Sequence, residues 1–190
     1  MKHFYSFLVI AMFLLAGKGF SQVKREVEER ISLEKLPNPI KSLLPIIKLN
    51  ARHLKFYHEI DGQKESYEVK FKKDNTLFSL EFNKAGALED IEVLILKEQL
   101  PKAIIDALNS MFIRYKLVRI QKQFLPTAGE SLERVFERSY EKRSTPKAYE
   151  IVLLGKTEKE NKQFEFLFDP LGNILHKRIL VLPSQDHVIY

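Results

Sequence analysis

The chain has 190 residues, 45% of them hydrophobic, with 31 Lys or Arg against 25 Asp or Glu for a net charge of +6. That is apolar material enough for a packed core, in one ordinary domain or two very small ones, and it argues against wholesale disorder. Cysteine is absent, which excludes disulfides, thiolate metal sites and a lipid-modified cysteine.

The N-terminus reads MKHFYSFLVIAMFLLAGKGFSQ. Lys2 supplies a positive start, Phe4 to Gly17 carry no charge, and the small residues Gly19 and Ser21 stand two apart before Gln22. This pattern predicts a secretory signal peptide over residues 1–21, and hence a periplasmic or secreted protein. The uncharged run is shorter than the roughly 18 to 20 residues that span a bilayer. No stable membrane insertion is expected after cleavage. Without Lys2 and Lys18 the charge falls to +4, an excess better read as solvated faces than as a nucleic-acid surface.

Downstream, KLPNPIKSLL predicts a short helix opened by Leu36-Pro37, which Pro45 should end or kink after about two turns. Four strands are expected next. Leu54, Phe56, His58 and Ile60 alternate, as do Tyr67, Val69 and Phe71. Phe78, Leu80 and Phe82 follow, then Ile91, Val93 and Ile95. Charged or Gly-bearing turns separate them, the pattern of an antiparallel meander with one apolar face.

QLPKAIIDAL then predicts a second helix over 100–112, with Ile104, Leu108, Met111 and Phe112 on one face. Strands are expected near Tyr115–Phe124, Ala148–Leu154, Gln163–Asp169 and Asn173–Leu182. Leu36 to Tyr67 is 31 residues, whereas Leu100 to Tyr149 is 49, so the second unit carries an insertion over 125–147. Leu132, Val135, Phe136 and Tyr140 have helical spacing within it. Because the first unit lacks such a segment, the core is not expected to need it.

The chain therefore says one thing twice. The fold class expected is α+β: two tandem modules, each a helix plus a four-stranded antiparallel sheet, with a helical insertion in the second. The units are residues 22–97 and 98–190. Pro37, Tyr67 and Gly86 answer Pro101, Tyr149 and Gly172.

The order Leu-Pro helix, Tyr-Glu strand and Phe-[Asn/Asp]-x-x-Gly turn resembles the PepSY-like family, bacterial envelope proteins related in fold to the β-lactamase inhibitor protein. The residues that carry it are Leu36-Pro37, Tyr67-Glu68-Val69, Phe82-Asn83 with Gly86, Leu100-Pro101, Tyr149-Glu150-Ile151, and Phe168-Asp169 with Gly172. The insertion before Tyr149 departs from the pattern. The resemblance implies tandem modules that bind other proteins or peptides, and it does not imply catalysis.

No catalytic, cofactor or metal residue stands out. The histidines lack a His-x-His or His-x-x-x-His pair, and no serine lies in a Gly-x-Ser-x-Gly setting. Glu68 and Glu150 each follow a strand Tyr, so they should face away from it. The strand aromatics should be core, or in part an outward contact surface on a concave sheet. Insertions often carry function, so Leu132, Val135, Phe136 and Tyr140 form the candidate partner surface, with docking onto the protein's own sheet as the plainer role. The expected function is a non-enzymatic, secreted binding module for a protein or peptide, possessing no cofactor. The alternative is a carrier or sensor of a small apolar ligand held between helices and sheet.

Overall fold

A computed structural model describes residues 22–24, 26–48, 51–141, 143–156 and 161–180. The predicted signal peptide and the last ten residues lie outside them.

Ten strands form one sheet. They are β1 (Gln22–Lys24), β2 (Glu26–Ile31), β3 (Arg52–Asp61), β4 (Lys64–Lys73), β5 (Thr76–Asn83), β6 (Leu88–Leu94), β7 (Arg114–Phe124), β8 (Ala148–Lys156), β9 (Asn161–Phe168) and β10 (Ile174–Leu180). The spatial order is β1-β10-β9-β8-β7-β6-β5-β4-β3-β2. From β2 to β10 every neighbour in sequence is a neighbour in space and runs antiparallel, while β1 lies parallel to β10. Among the described residues three α-helices accompany the sheet: α1 (Asn38–Lys48), α2 (Lys102–Met111) and α3 (Leu132–Tyr140).

The expectation of two four-stranded modules is corrected here. Ile91–Leu94 of β6 pair directly with Gln121–Phe124 of β7, so the two halves share one ladder. An unpaired edge strand is a liability that this join removes. Nor is each half covered by its own helix alone. α3 belongs to the second half in sequence, yet it buries Leu132 and Val135 in the first half's core, beside Phe71, Phe78 and Phe124. The Phe136 ring lies 5.2 Å from that of Phe78 and 5.9 Å from that of Phe71. The insertion is part of the core, contrary to the expectation that the core closes without it.

Strand alternation sorts the side chains. Val69, Phe71, Phe78, Leu80, Phe82, Ile91 and Phe124 pack under Ile40, Leu44 and Ile47 of α1. Ile151, Leu153, Phe164, Phe166 and Phe168 pack under Ile104 and Leu108 of α2. Helix α1 runs on through Pro45 to Lys48, so the proline does not stop it at that point. Leu44 and Ile47 on either side of the proline are both buried, and that packing holds the last turn. The proline removes one hydrogen bond from it.

Turns follow local chemistry. The β4–β5 loop is Asp74-Asn75, both at positive φ, as a two-residue hairpin of the I′ type requires. Asn83 Oδ1 accepts from the amides of Ala85 and Ala87, and Asp169 Oδ1 accepts from those of Leu171 and Asn173.

The sheet curls until its ends meet. β10 and β3 are seven strands apart in the order, about 34 Å on a flat sheet at roughly 4.8 Å per strand. Yet Arg178 Nη1 on β10 donates to Asp61 Oδ2 on β3 at 3.1 Å. The N-terminal chain spans the seam, for β1 pairs with β10 and β2 with β3, and one residue separates them. β1 and β2 thus act as one strand that closes a ring of nine. All three helices lie outside the ring.

Candidate functional site

The alternate residues of the same strands point inward, and they are carboxylates and amides. Glu59, Glu68, Asp90, Glu92 and Glu165 are buried there, with Ser66, Ser79 and Gln121 between them. Their partners come from neighbouring strands. Ser79 donates to Glu68 Oε1, and the Lys70 ammonium bridges Glu68 and, at 3.2 Å, Glu28. Gln121 Nε2 donates to Glu92 Oε2 at 2.7 Å, and Gln123 Nε2 donates to Asp90 Oδ2 at 3.1 Å. Arg119 Nη2 donates to Glu150 Oε1 at 2.7 Å.

Crowding carboxylates in a low-dielectric space raises their affinity for protons. Burial pushes the Asp90 carboxyl well above the usual carboxylate range, and Glu81 and Glu150 add to it against the opposing pull of Lys64. Glu92 is driven up by burial and then by Glu150, Glu81 and Asp90, with Arg119 opposing. The cations answer in kind. Burial alone would lower Lys70 and Arg119, but Glu68 and Glu28 outweigh it for Lys70, and Glu150 and Glu92 for Arg119, so both stay above their ordinary values.

Two cavities open on this inner face. One of about 290 Å³ is bounded by Glu59, Glu81, Asp90, Glu92, Glu165 and Arg178. The other, of about 260 Å³, is bounded by Tyr57, Lys70, Leu77, Leu94 and Arg119. Exposure rises toward this second cavity along each strand. Ser79 is 3% exposed but Leu77 is 48%, and Glu92 is 4% exposed but Leu94 is 38%. The inner face therefore has an acid interior and an apolar mouth with a basic rim. Such a face can offer apolar contact at its opening.

None of the candidate partner-surface or repeat-signature residues lies on this face. Leu132 and Val135 are in the core, Phe136 is half-buried, and Tyr140 is 42% exposed and hydrogen-bonded to Asp74. The carbonyls of Pro37 and Pro101 accept from the amides of Ile40 and Ile104 as their helices start. Tyr67 faces outward beside His58, and Tyr149 is buried under α2. Gly86 and Gly172 take φ of 83° and 88° and pass close to Pro39 and Ala103. Glu68 and Glu150 do face away from their tyrosines, into the ring. The strand aromatics supply the outer core, not a contact surface on the concave side: Phe71, Phe78, Phe82, Phe164, Phe166 and Phe168 are all buried there. The inner polar residues do carry a signal in the sequence. Glu68, Ser79, Glu81, Glu92 and Glu165 alternate with the aromatic positions as strictly as those positions alternate with each other.

No family model matches the sequence, and no curated protein matches it either. Solved structures do share the fold. A provisionally periplasmic protein from Bacteroides eggerthii DSM 20697 superposes with a TM-score of 0.52 at 14% identity, over 75% of this chain and 88% of its own. A DUF2874 family protein from Bacteroides uniformis ATCC 8492 gives 0.52 at 12% identity, over 76% and 89%. A BLIP-like protein from Bacteroides fragilis NCTC 9343 gives 0.48 at 17% identity, over 80% and 93%. Among the described residues no helix is long and apolar enough to cross a membrane. At these identities the first two likenesses establish the fold that the chain shares with them.

Proposed function

We propose that the protein is a non-catalytic binding module of the bacterial envelope that receives a segment of a protein or peptide at the mouth of its inner face. The observation that carries this reading is the open mouth itself. Leu77, Leu94 and Leu154 stand 38–48% exposed on the face that the described helices leave bare. Lys55, Lys70 and Arg119 rim the cavity there and Tyr57 lies beside them. Exposed apolar groups ringed by charge, with Tyr and Arg among them, are how protein-binding surfaces are composed. The rim chemistry suits a partner segment that presents an apolar side chain next to a carboxylate. An apolar-ligand carrier is less well served, because charged groups bound much of both inner-face cavities.

The envelope location rests on the signal-like N-terminus and on the provisional periplasmic label of the Bacteroides eggerthii neighbour. The PepSY-like duplication, with units at 22–97 and 98–190, is supported by the matched Asn83 and Asp169 turns and by the two Leu-Pro helix starts. The exposed flank of α3 at Phe136 and Tyr140 is the second surface open to a partner.

The test is capture from envelope extract by the wild type and by the pair Leu77→Asp and Leu94→Asp. A protein retained by the wild type and by Tyr140→Ala, but lost from the pair, supports the mouth. Equal capture by all of them sets the reading aside.

A further inference from the structure

β7 outruns one of its two neighbours. On one side β8 pairs with it from Arg114 to Gln123. On the other side β6 pairs only with residues 121–124, and one further bond joins the Ile95 amide to the Ile120 carbonyl. There the chain leaves the sheet, and a short 3-10 helix over Lys97–Gln99 leads it into α2. Among the described residues no strand pairs with that edge of residues 114–119. A cavity of about 460 Å³ lies in the notch, bounded by Leu94, Leu96 and Lys97 on one side and by Tyr115, Leu117 and Val118 on the other. An unpaired edge offers a row of N–H and C=O groups to another chain.

The side chains at the notch say what kind of chain it fits. Leu96 is 70% exposed and Val118 is 54% exposed. Tyr115 and Leu117 pack toward the core under α2, so Arg114 and Lys116, one residue off, face the inside of the ring. Arg119 is answered by Glu150. Arg114, Lys116 and Lys97 are exposed and make no ion pair among the described residues. Lysines on an edge, and a bulge such as the one between Leu117 and Arg119, keep unselected strands away. They also choose the partner. An acidic strand meets opposite charge here, whereas a second copy of this edge would set cations against cations.

We propose that residues 114–119 of β7 accept an extended, acidic segment of another protein as an added strand. Its carboxylates turn inward to Arg114 and Lys116, and its apolar side chains turn to Tyr115 and Leu117. Backbone hydrogen bonds hold such a strand, and the alternation of its side chains selects it. The notch adjoins the mouth, since Leu94 and Arg119 border both. The inference rests on the reading of the molecule as a peptide-binding module, and it adds how the segment is held.

The probe is a fluorescently labelled eight-residue peptide of alternating Val and Glu. It is titrated into the purified protein and followed by fluorescence anisotropy and by amide hydrogen exchange. Saturable binding is expected, with exchange slowed at residues 114–119. Lys97→Glu combined with Lys116→Glu should weaken binding by about tenfold or more. Lys41→Glu combined with Lys102→Glu, the same change of charge on α1 and α2, should leave it unchanged. The same peptide with its backbone amides methylated should not bind. Absence of saturable binding, binding that survives amide methylation, or binding undiminished by the edge substitutions would each overturn the proposal. Exchange slowed around Leu77 but not at residues 114–119 would overturn the added strand and leave the mouth reading standing.

Discussion

The two faces of this sheet are made by the same strands and are chemical opposites. On the outer face Phe71, Phe78, Phe82, Phe164, Phe166 and Phe168 lie dry beneath three helices. On the inner face Glu59, Glu68, Asp90, Glu92 and Glu165 are equally buried but charged or protonated, and they are held by Ser, Gln, Lys and Arg. Burial alone does not mark a core. The outer residues are buried because water is unfavourable to them, whereas the inner ones are buried despite losing it. An arrangement that costs stability without serving packing is where function is to be sought.

The contrast predicts opposite responses to substitution. Phe82→Ala or Phe166→Ala should destabilise the fold by about 3–5 kcal/mol in chemical denaturation, since each side chain is fully buried. A loss under 1 kcal/mol would mean that the outer layer is not the core. Next in size is Gly172→Ala. Its φ is +88°, and a Cβ would lie 2.8 Å from the Ala103 carbonyl oxygen, so the expected loss is about 1–3 kcal/mol. Gly129→Ala has a similar φ of +76° but nothing within 4 Å, so it should lose less, about 1 kcal/mol.

On the inner face the sign reverses. Asp90 and Glu92 hold protons in the folded chain at pH values where the unfolded chain has released them. Stability should therefore fall as pH rises above about 4 toward their raised values. Asp90→Asn should remove part of that fall, raising stability at pH 7 by on the order of 1 kcal/mol and leaving it unchanged near pH 4. Melting curves across pH give the answer, and a pH-independent effect would contradict it. Glu130 behaves as an ordinary outer carboxylate. The Arg138 guanidinium, with help from the Thr127 amide, lowers it to about 2, so its contribution is present above the usual carboxylate range and is lost as pH falls toward that value. Smallest of all is Arg178→Ala at the seam. The ion pair to Asp61 is partly exposed on both sides and the contact to buried Glu165 is a long 3.6 Å, so about 1 kcal/mol is expected, because backbone pairing of β1 and β2 closes the ring.

Much of the outer face was legible in the sequence. Period-two phenylalanines, Leu-Pro helix starts and Gly-bearing turns are local signals, and they placed most strands within two or three residues. What failed was long-range. Nothing local in Ile91–Leu94 says that its partner is Gln121–Phe124, and that single ladder is the difference between two sheets and one. β2 carries little local signal because EVEERI is mostly charged and its residues 27–30 are exposed, with Ile31 alone reaching the core, and only its partner makes it a strand. α3 was found by its spacing, but its docking site lies in the other half of the chain. The inner acids are not legible locally, because a Glu between two phenylalanines looks solvent-facing until the sheet is known to close.

The central claim, that the inner face does the binding, is tested most directly by site-specific photo-crosslinking in cells that make the protein. A photoreactive amino acid at Leu77 or Leu94 probes the mouth, and one at Tyr140 or Leu171 probes the outside. The account predicts a discrete adduct with a second protein from positions 77 and 94 and none from 171. Adducts from Tyr140 or Leu171 with none from the mouth would contradict it.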